Sequence, residues 1–172
     1  GRFSRLVLAG HTEGGLVAAA AAARLGKSVP GLALLCPSGK SAAESVEEAL
    51  AEAPEELRPE AEAIMAALRR GETYPEPSPY FADFFRPSFQ PYLASWFRYD
   101  LPKELSIYAG QLLLVQGNRD FQVSLAEFSV LAALEPDAAA VVLPGMNHVL
   151  KEVGPDLEEN YRSFGDPGFP LA

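Results

Sequence analysis

The 172-residue chain is poor in metal ligands, with one cysteine, Cys36, and two histidines, His11 and His148. A single thiol forms no intrachain disulfide, so no covalent staple holds the fold and cysteine usage assigns no compartment. Counted as residues, two histidines and one cysteine leave a His/Cys zinc site short of ligands, so no metal is expected. Cations are scarce as well. Fourteen Lys+Arg against 23 Asp+Glu give a formal charge of −9, a field that repels phosphate backbones and speaks against nucleic-acid partners. Long apolar runs are missing too. The longest uncharged stretch, residues 14–23, is too short and too alanine-rich to span a bilayer, which leaves a soluble protein. No basic segment leads into an apolar one, as a signal peptide requires. The chain opens at Gly1-Arg2-Phe3 without an initiating methionine, so a segment upstream is expected. Internal repeats, low-complexity tracts and linkers are absent.

What is present has globular composition: 48% hydrophobic and 22% charged residues can close a core, in a length that suits one domain. Residues 3–9 (FSRLVLA) read as a buried strand. Residues 13–25 read as an alanine-rich helix closed by Gly26. Residues 29–36 (VPGLALLC) read as a second strand. Strand, helix and strand in such short compass form a βαβ unit, which implies parallel strands. A stretch without strands follows. Ser41-Ala-Ala-Glu44 is a capping box opening a helix to about Glu52, and residues 59–70 form another, with Ile64, Met65 and Leu68 on one face. Residues 75–102 are crowded with prolines and aromatics, so their helical pieces must be short. Alternation then resumes, with strands at 111–116 and 139–143 around a helix that a second capping box, Ser124 to Glu127, opens. After residue 148 the chain reads as mostly loop.

The stretch LVLAGHTEGGLVAAAAAA joins the first strand to the first helix through Gly10-His11-Thr12-Glu13-Gly14. This is G-x-T-x-G, where a nucleophile elbow is G-x-S-x-G. In such a turn the glycines let strand and helix approach, and the Glu13 N–H sits at a helix N-terminus aimed at an oxyanion. A hydroxyl nucleophile needs a base, and the base needs an orienting carboxylate. LLLVQGNRD places Asp120 just after one strand, and VVLPGMNH places His148 just after the next. In a parallel sheet both loops open at the same edge as Thr12.

On these segments, and on RPSFQPYLASWFRYD between them, the chain resembles the later part of a bacterial α/β-hydrolase of the esterase, lipase and serine-aminopeptidase-like group. The resemblance implies an α/β class and a partial α/β-hydrolase fold. Residues 1–37 and 109–172 would form the core, and 38–108 a helical cap over the catalytic edge. It implies Thr12 as nucleophile, His148 as general base and acid, and Asp120 as its orienter. The substrate would be a small-molecule ester or amide, and no cofactor is implied. The family's elbow strand is the fifth of eight, so an upstream segment is the implied partner. It would pair beside Leu6 and Leu8 and supply the second oxyanion donor; without it the chain is not expected to fold as a monomer. The family usually closes with another helix, absent from this reading.

Other candidates carry blander readings. His11 should point away from Thr12, because neighbours at such a turn diverge. Cys36 reads as a small buried apolar residue. Phe81, Phe85, Trp96 and Met146 could line an acyl pocket, or the cap aromatics could form the cap's own core. Two rivals to the ester hydrolase stay open: an amide or peptide hydrolase with the same parts, and a non-catalytic protein binding a small apolar ligand. Threonine keeps a hydroxyl but is β-branched and stiff at χ1. It should either raise the strain of the elbow or turn Oγ away from His148, and so weaken the enzyme.

Overall fold

The computed structural model describes residues 5–171, so Phe3 and Ser4 of the expected first strand lie outside the described residues. The chain divides into two compact units, one running to Gly39 and again from Leu101 onward, the other Lys40–Asp100. The boundaries differ from the expected 38 and 108 for a physical reason. A helix at Leu101–Ile107 buries Leu101 and Leu105 and packs on the helix Glu13–Leu25, so it belongs with the sheet.

The first unit is built on four parallel strands, β1 (Val7–His11), β2 (Gly31–Leu35), β3 (Gln111–Gly117) and β4 (Ala139–Leu143), hydrogen-bonded in chain order. β1 runs two residues past Ala9, through Gly10 and His11. All four C-termini lie at one edge, which is what gathers residues distant in sequence. α1 (Glu13–Leu25) packs on β1 and β2. Its alanines 18, 19, 20 and 22 are buried, and their small side chains let the helix axis come close to the sheet. The opposite side of the sheet, and β4 on both faces, keep apolar residues exposed: Val7, Leu113, Val141 and Val142. β1 pairs with β2 alone; among the described residues its other edge carries no strand.

The second unit is helical, with α2 (Ala42–Ala51), α3 (Arg58–Arg69) and α4 (Gln90–Trp96). Ser41 and Glu44 make both bonds of the capping box, and Gly71 takes φ 78° where α3 stops. Its core gathers Val46, Ile64, Met65, Leu68 and Leu93 around Phe81 and Phe85. Phe81 and Phe85 are therefore core side chains of this unit, the second of the two readings left open for the cap aromatics. Trp96 is partly buried against the same cluster.

The helix Leu101–Ile107 is α5, and α6 (Leu125–Leu134) follows β3. Ser124 Oγ caps the Glu127 N–H, while the Glu127 carboxylate accepts from Ser38 Oγ. Past His148 the chain was expected to be loop, yet α7 spans Leu157–Ser163. The missed signal was Asp156-Leu-Glu-Glu159: Asp156 Oδ1 accepts from the Glu159 N–H as an N-cap. No helix of the described residues is long and apolar enough to cross a membrane.

Candidate active site

Thr12 stands between β1 and α1, its N–H bonded to the Leu35 carbonyl as the ladder's last rung. Its backbone sits at φ 52° and ψ −116°, where a β-branched residue is a genuine outlier. Among the described residues only two other non-glycine residues have positive φ. These are Cys36, just after β2, and Leu150, two positions beyond His148. Strained backbone of this kind costs about 1–3 kcal/mol per residue and persists only where the surroundings impose it. Here it is concentrated at one edge of one sheet.

At that edge the side chains form a chain of short contacts. Thr12 Oγ1 lies 2.8 Å from His148 Nε2, and His148 Nδ1 lies 2.7 Å from Asp120 Oδ2. The threonine methyl therefore does not turn Oγ1 away from the imidazole. His148 and Asp120 are shut off from solvent, with side-chain exposures of 4% and 0%. Burial would raise the Asp120 carboxyl pKa. Hydrogen bonds from His148, from the Val123 N–H and from the Gln122 N–H outweigh it, and the carboxyl is held below its ordinary value. An ionised Asp120 calls for a proton on His148 Nδ1, and in the neutral imidazole the Nε2 lone pair then faces the Thr12 hydroxyl.

Several members of this site had no signal in the sequence. Gln116, fully buried on β3, donates from Nε2 to Asp120 Oδ2 at 2.8 Å and to the Val123 carbonyl at 3.0 Å, so it fixes the carboxylate from below. Asn147 is also fully buried. Its Nδ2 donates to Asn160 Oδ1 and Ser163 Oγ on α7, and its Oδ1 accepts from the Val149 and Lys151 N–H groups. The loop that carries His148 is thus tied to α7 through Asn147, and Lys151 Nζ adds a bond to the Ser163 carbonyl. Asn147→Ala strands these donors and acceptors in a buried place. We expect a loss of about 1–3 kcal/mol in urea unfolding, and a variant as stable as the parent would show that the network holds nothing.

His11 does not point away. Its Nε2 donates to the His148 carbonyl at 2.7 Å, its ring lies 4.9 Å from the His148 ring, and Thr12 Oγ1 is 3.3 Å from its Nδ1. Cys36 is more than an apolar filler. Burial, and next to it the Asp120 charge and a hydrogen bond to Asp120, push its thiol up to about 12, so it is a neutral donor beside the carboxylate. His11, Cys36 and His148 each offer one ligand atom within 4.8 Å of the others. Counting residues suggested too few ligands; the fold brings together every histidine and cysteine the chain has. Met146, the remaining pocket candidate, is partly buried, and its carbonyl accepts from the Arg119 N–H.

No family model matches this sequence, and no curated protein does. Solved structures do. Est1E from Butyrivibrio proteoclasticus superposes with a TM-score of 0.53 at 19% identity, over 84% of this chain and 53% of that one. E-2-(acetamidomethylene)succinate hydrolase gives 0.53 at 21% identity, over 93% of this chain and 66% of that one. The N-formylmaleamic acid deformylase of Pseudomonas putida S16 gives 0.52 at 16%, over 94% and 66%. The chain thus spans between about half and two thirds of the length of these structures.

Proposed function

We propose that this chain, which has the α/β-hydrolase fold, hydrolyses carboxylic esters through an acyl intermediate on Thr12. The observation that carries the reading is the contact chain from Thr12 Oγ1 through His148 to a buried, ionised Asp120. As Oγ1 attacks the ester carbonyl, its proton passes to His148 Nε2, and the imidazolium forms against the Asp120 carboxylate. The tetrahedral oxygen takes its negative charge toward the N-terminus of α1, where Glu13 is the first residue, and its N–H is the donor we assign. Collapse expels the alcohol, which takes the proton from His148. A water then repeats the sequence and releases the acid, leaving Thr12 as it began. Amide hydrolysis uses the same groups. It is the second reading because two structures of similar fold are named for an acetamido-compound hydrolase and a deformylase.

The test is Thr12→Ser. Serine keeps Oγ at the 2.8 Å contact and removes the methyl from a residue held at φ 52°. Each ~1.4 kcal/mol of relieved misalignment is worth about tenfold, so kcat/KM on p-nitrophenyl acetate and butyrate should rise about 10–100-fold. Parent and serine variant both inert, while folded, would leave a ligand-binding protein as the better reading.

We also propose that the outer edge of β1 takes a further strand, from an upstream segment of the same protein. Leu6 and Val7 there are 46% and 63% exposed, and an open apolar edge is a template for association that folded proteins avoid leaving bare. Residues 1–172 expressed alone should sediment as aggregates or oligomers and lack a sharp thermal transition. A monomer with a cooperative melt would end this part of the proposal.

A further inference from the structure

Two features at the catalytic edge go beyond what ester hydrolysis needs. His11 is not a member of the Thr12, His148 and Asp120 chain, yet its ring is held in place by a hydrogen bond to the backbone of the loop that carries His148. Cys36 is a thiol just after β2, fully buried, at a positive φ.

We propose that His11, Cys36 and His148 form a binding site for a borderline-soft divalent cation, zinc above all, and that occupation of this site excludes catalysis. The donor set is a thiolate and two imidazoles, which suits zinc and cobalt(II) and is a poor set for magnesium or calcium. Each imidazole also has its second nitrogen engaged as metal-binding histidines do. His148 gives Nδ1 to a carboxylate, and His11 gives Nε2 to a backbone carbonyl. These bonds fix the tautomers, leaving His148 Nε2 and His11 Nδ1 as the lone-pair atoms; Thr12 Oγ1 stands 2.8 Å from His148 Nε2 and 3.3 Å from both nitrogens of His11, over its ring. One donor atom from each of the three residues lies within 4.8 Å of the others. A tetrahedral zinc holds its nitrogen and sulfur donors about 3.3–3.7 Å apart, so closure takes shifts of about an ångström. Three protein ligands leave a fourth position open, for water or the Thr12 hydroxyl.

The balance of the step is simple. The cation enters, the Cys36 proton leaves to solvent, and nothing is oxidised or reduced. His148 Nε2 then donates its lone pair to the metal and no longer accepts the Thr12 proton. The inhibitory consequence rests on the proposed triad; the binding itself does not.

Cobalt(II) titration separates the two. Because the chain has one cysteine, a thiolate-to-cobalt charge-transfer band in the near ultraviolet can come only from Cys36. We expect that band, with the strong visible absorption of four-coordinate cobalt, to saturate at one cobalt per chain and to be displaced by zinc. Cys36→Ser should abolish the near-ultraviolet band. His11→Gln, which keeps a donor for the His148 carbonyl, should weaken cobalt affinity at least tenfold. Near-ultraviolet circular dichroism of each variant checks that the fold survives. Zinc should also inhibit any esterase activity of Thr12→Ser, with both ligand variants resisting it. No charge-transfer band at saturating cobalt, saturation at half an equivalent, or undiminished affinity in folded His11→Gln would overturn the site. If the band appears and no variant hydrolyses esters, the metal site stands and the triad falls.

Discussion

Asp120→Asn should lower kcat/KM on p-nitrophenyl esters by about 10³–10⁴-fold, measured in the Thr12→Ser background so that the residual rate is readable. The size follows from how completely Asp120 is used. Oδ1 accepts from the Gln122 and Val123 N–H groups, and Oδ2 accepts from Gln116 Nε2 and faces His148 Nδ1. An asparagine must replace one of these oxygens with an NH2 group. Placed at Oδ1, the amide confronts two backbone donors. Placed at Oδ2, it confronts the Gln116 amide and the His148 N–H. The imidazole can escape the second conflict by moving its proton to Nε2. In that tautomer the nitrogen facing Thr12 Oγ1 carries a hydrogen and cannot take another. The base is lost although every heavy atom stays where it was. A kcat/KM within tenfold of the parent would mean that His148 does not act through Asp120.

The same substitution has a signature in pH that activity does not report. The folded carboxyl of Asp120 is held below its ordinary value, so the folded state prefers it ionised. A depressed folded pKa gives stability that is complete above the unfolded value, about 3.9 for an aspartate. It is lost as pH falls through the lower folded value. The parent's melting temperature should therefore fall at the acid end of its range. That slope should be shallower in Asp120→Asn, which has no carboxyl to protonate.

What could be read from the sequence, and what could not, divides along a physical line. α1 and the Ser41 capping box are local patterns, and their ends fall where local chemistry puts them. Thr12, Asp120 and His148 are far apart in sequence, but a parallel sheet sends every strand to the same edge. Finding strand ends was thus enough to expect them near one another. Gln116 and Asn147 carried no such mark. Gln116 reads as the end of an apolar strand, and Asn147 as a turn residue beside His148, because their partners are set by packing alone. Cys36 and His11 were each judged singly, and a three-way juxtaposition made by the fold is invisible to such a reading. Phe81 and Phe85 were ambiguous because aromatics among prolines fit a pocket wall and a small core equally. Only burial distinguishes the two, and it places them in the core.

The glycines of the elbow were read as sterically equivalent, and they are not. We expect Gly10→Ala to leave no folded, active protein, while Gly14→Ala is nearly silent. A Cβ on Gly10 would stand 2.1 Å from the Gly14 carbonyl oxygen, 2.4 Å from its carbon and 2.5 Å from the Gly15 nitrogen. All three are backbone atoms of α1's first turn, so no rotamer change relieves the clash. The helix must lift off β1, and α1's first turn is what positions Thr12 and the Glu13 N–H. The cost should reach or exceed the about 3 kcal/mol that ordinary overpacking imposes. It also falls on a turn already strained at Thr12. At Gly14 an added Cβ meets nothing within 4 Å. Alanine there gains helix propensity, at most about 1 kcal/mol and less in a first turn. The role of Gly14 is thus carried by its carbonyl, which fills the space where a Gly10 side chain would go. Urea unfolding and ester hydrolysis of the two variants, side by side on Thr12→Ser, read the difference. Equal losses in both, or a stable and active Gly10→Ala, would mean that the close approach of β1 and α1 is not what shapes the elbow.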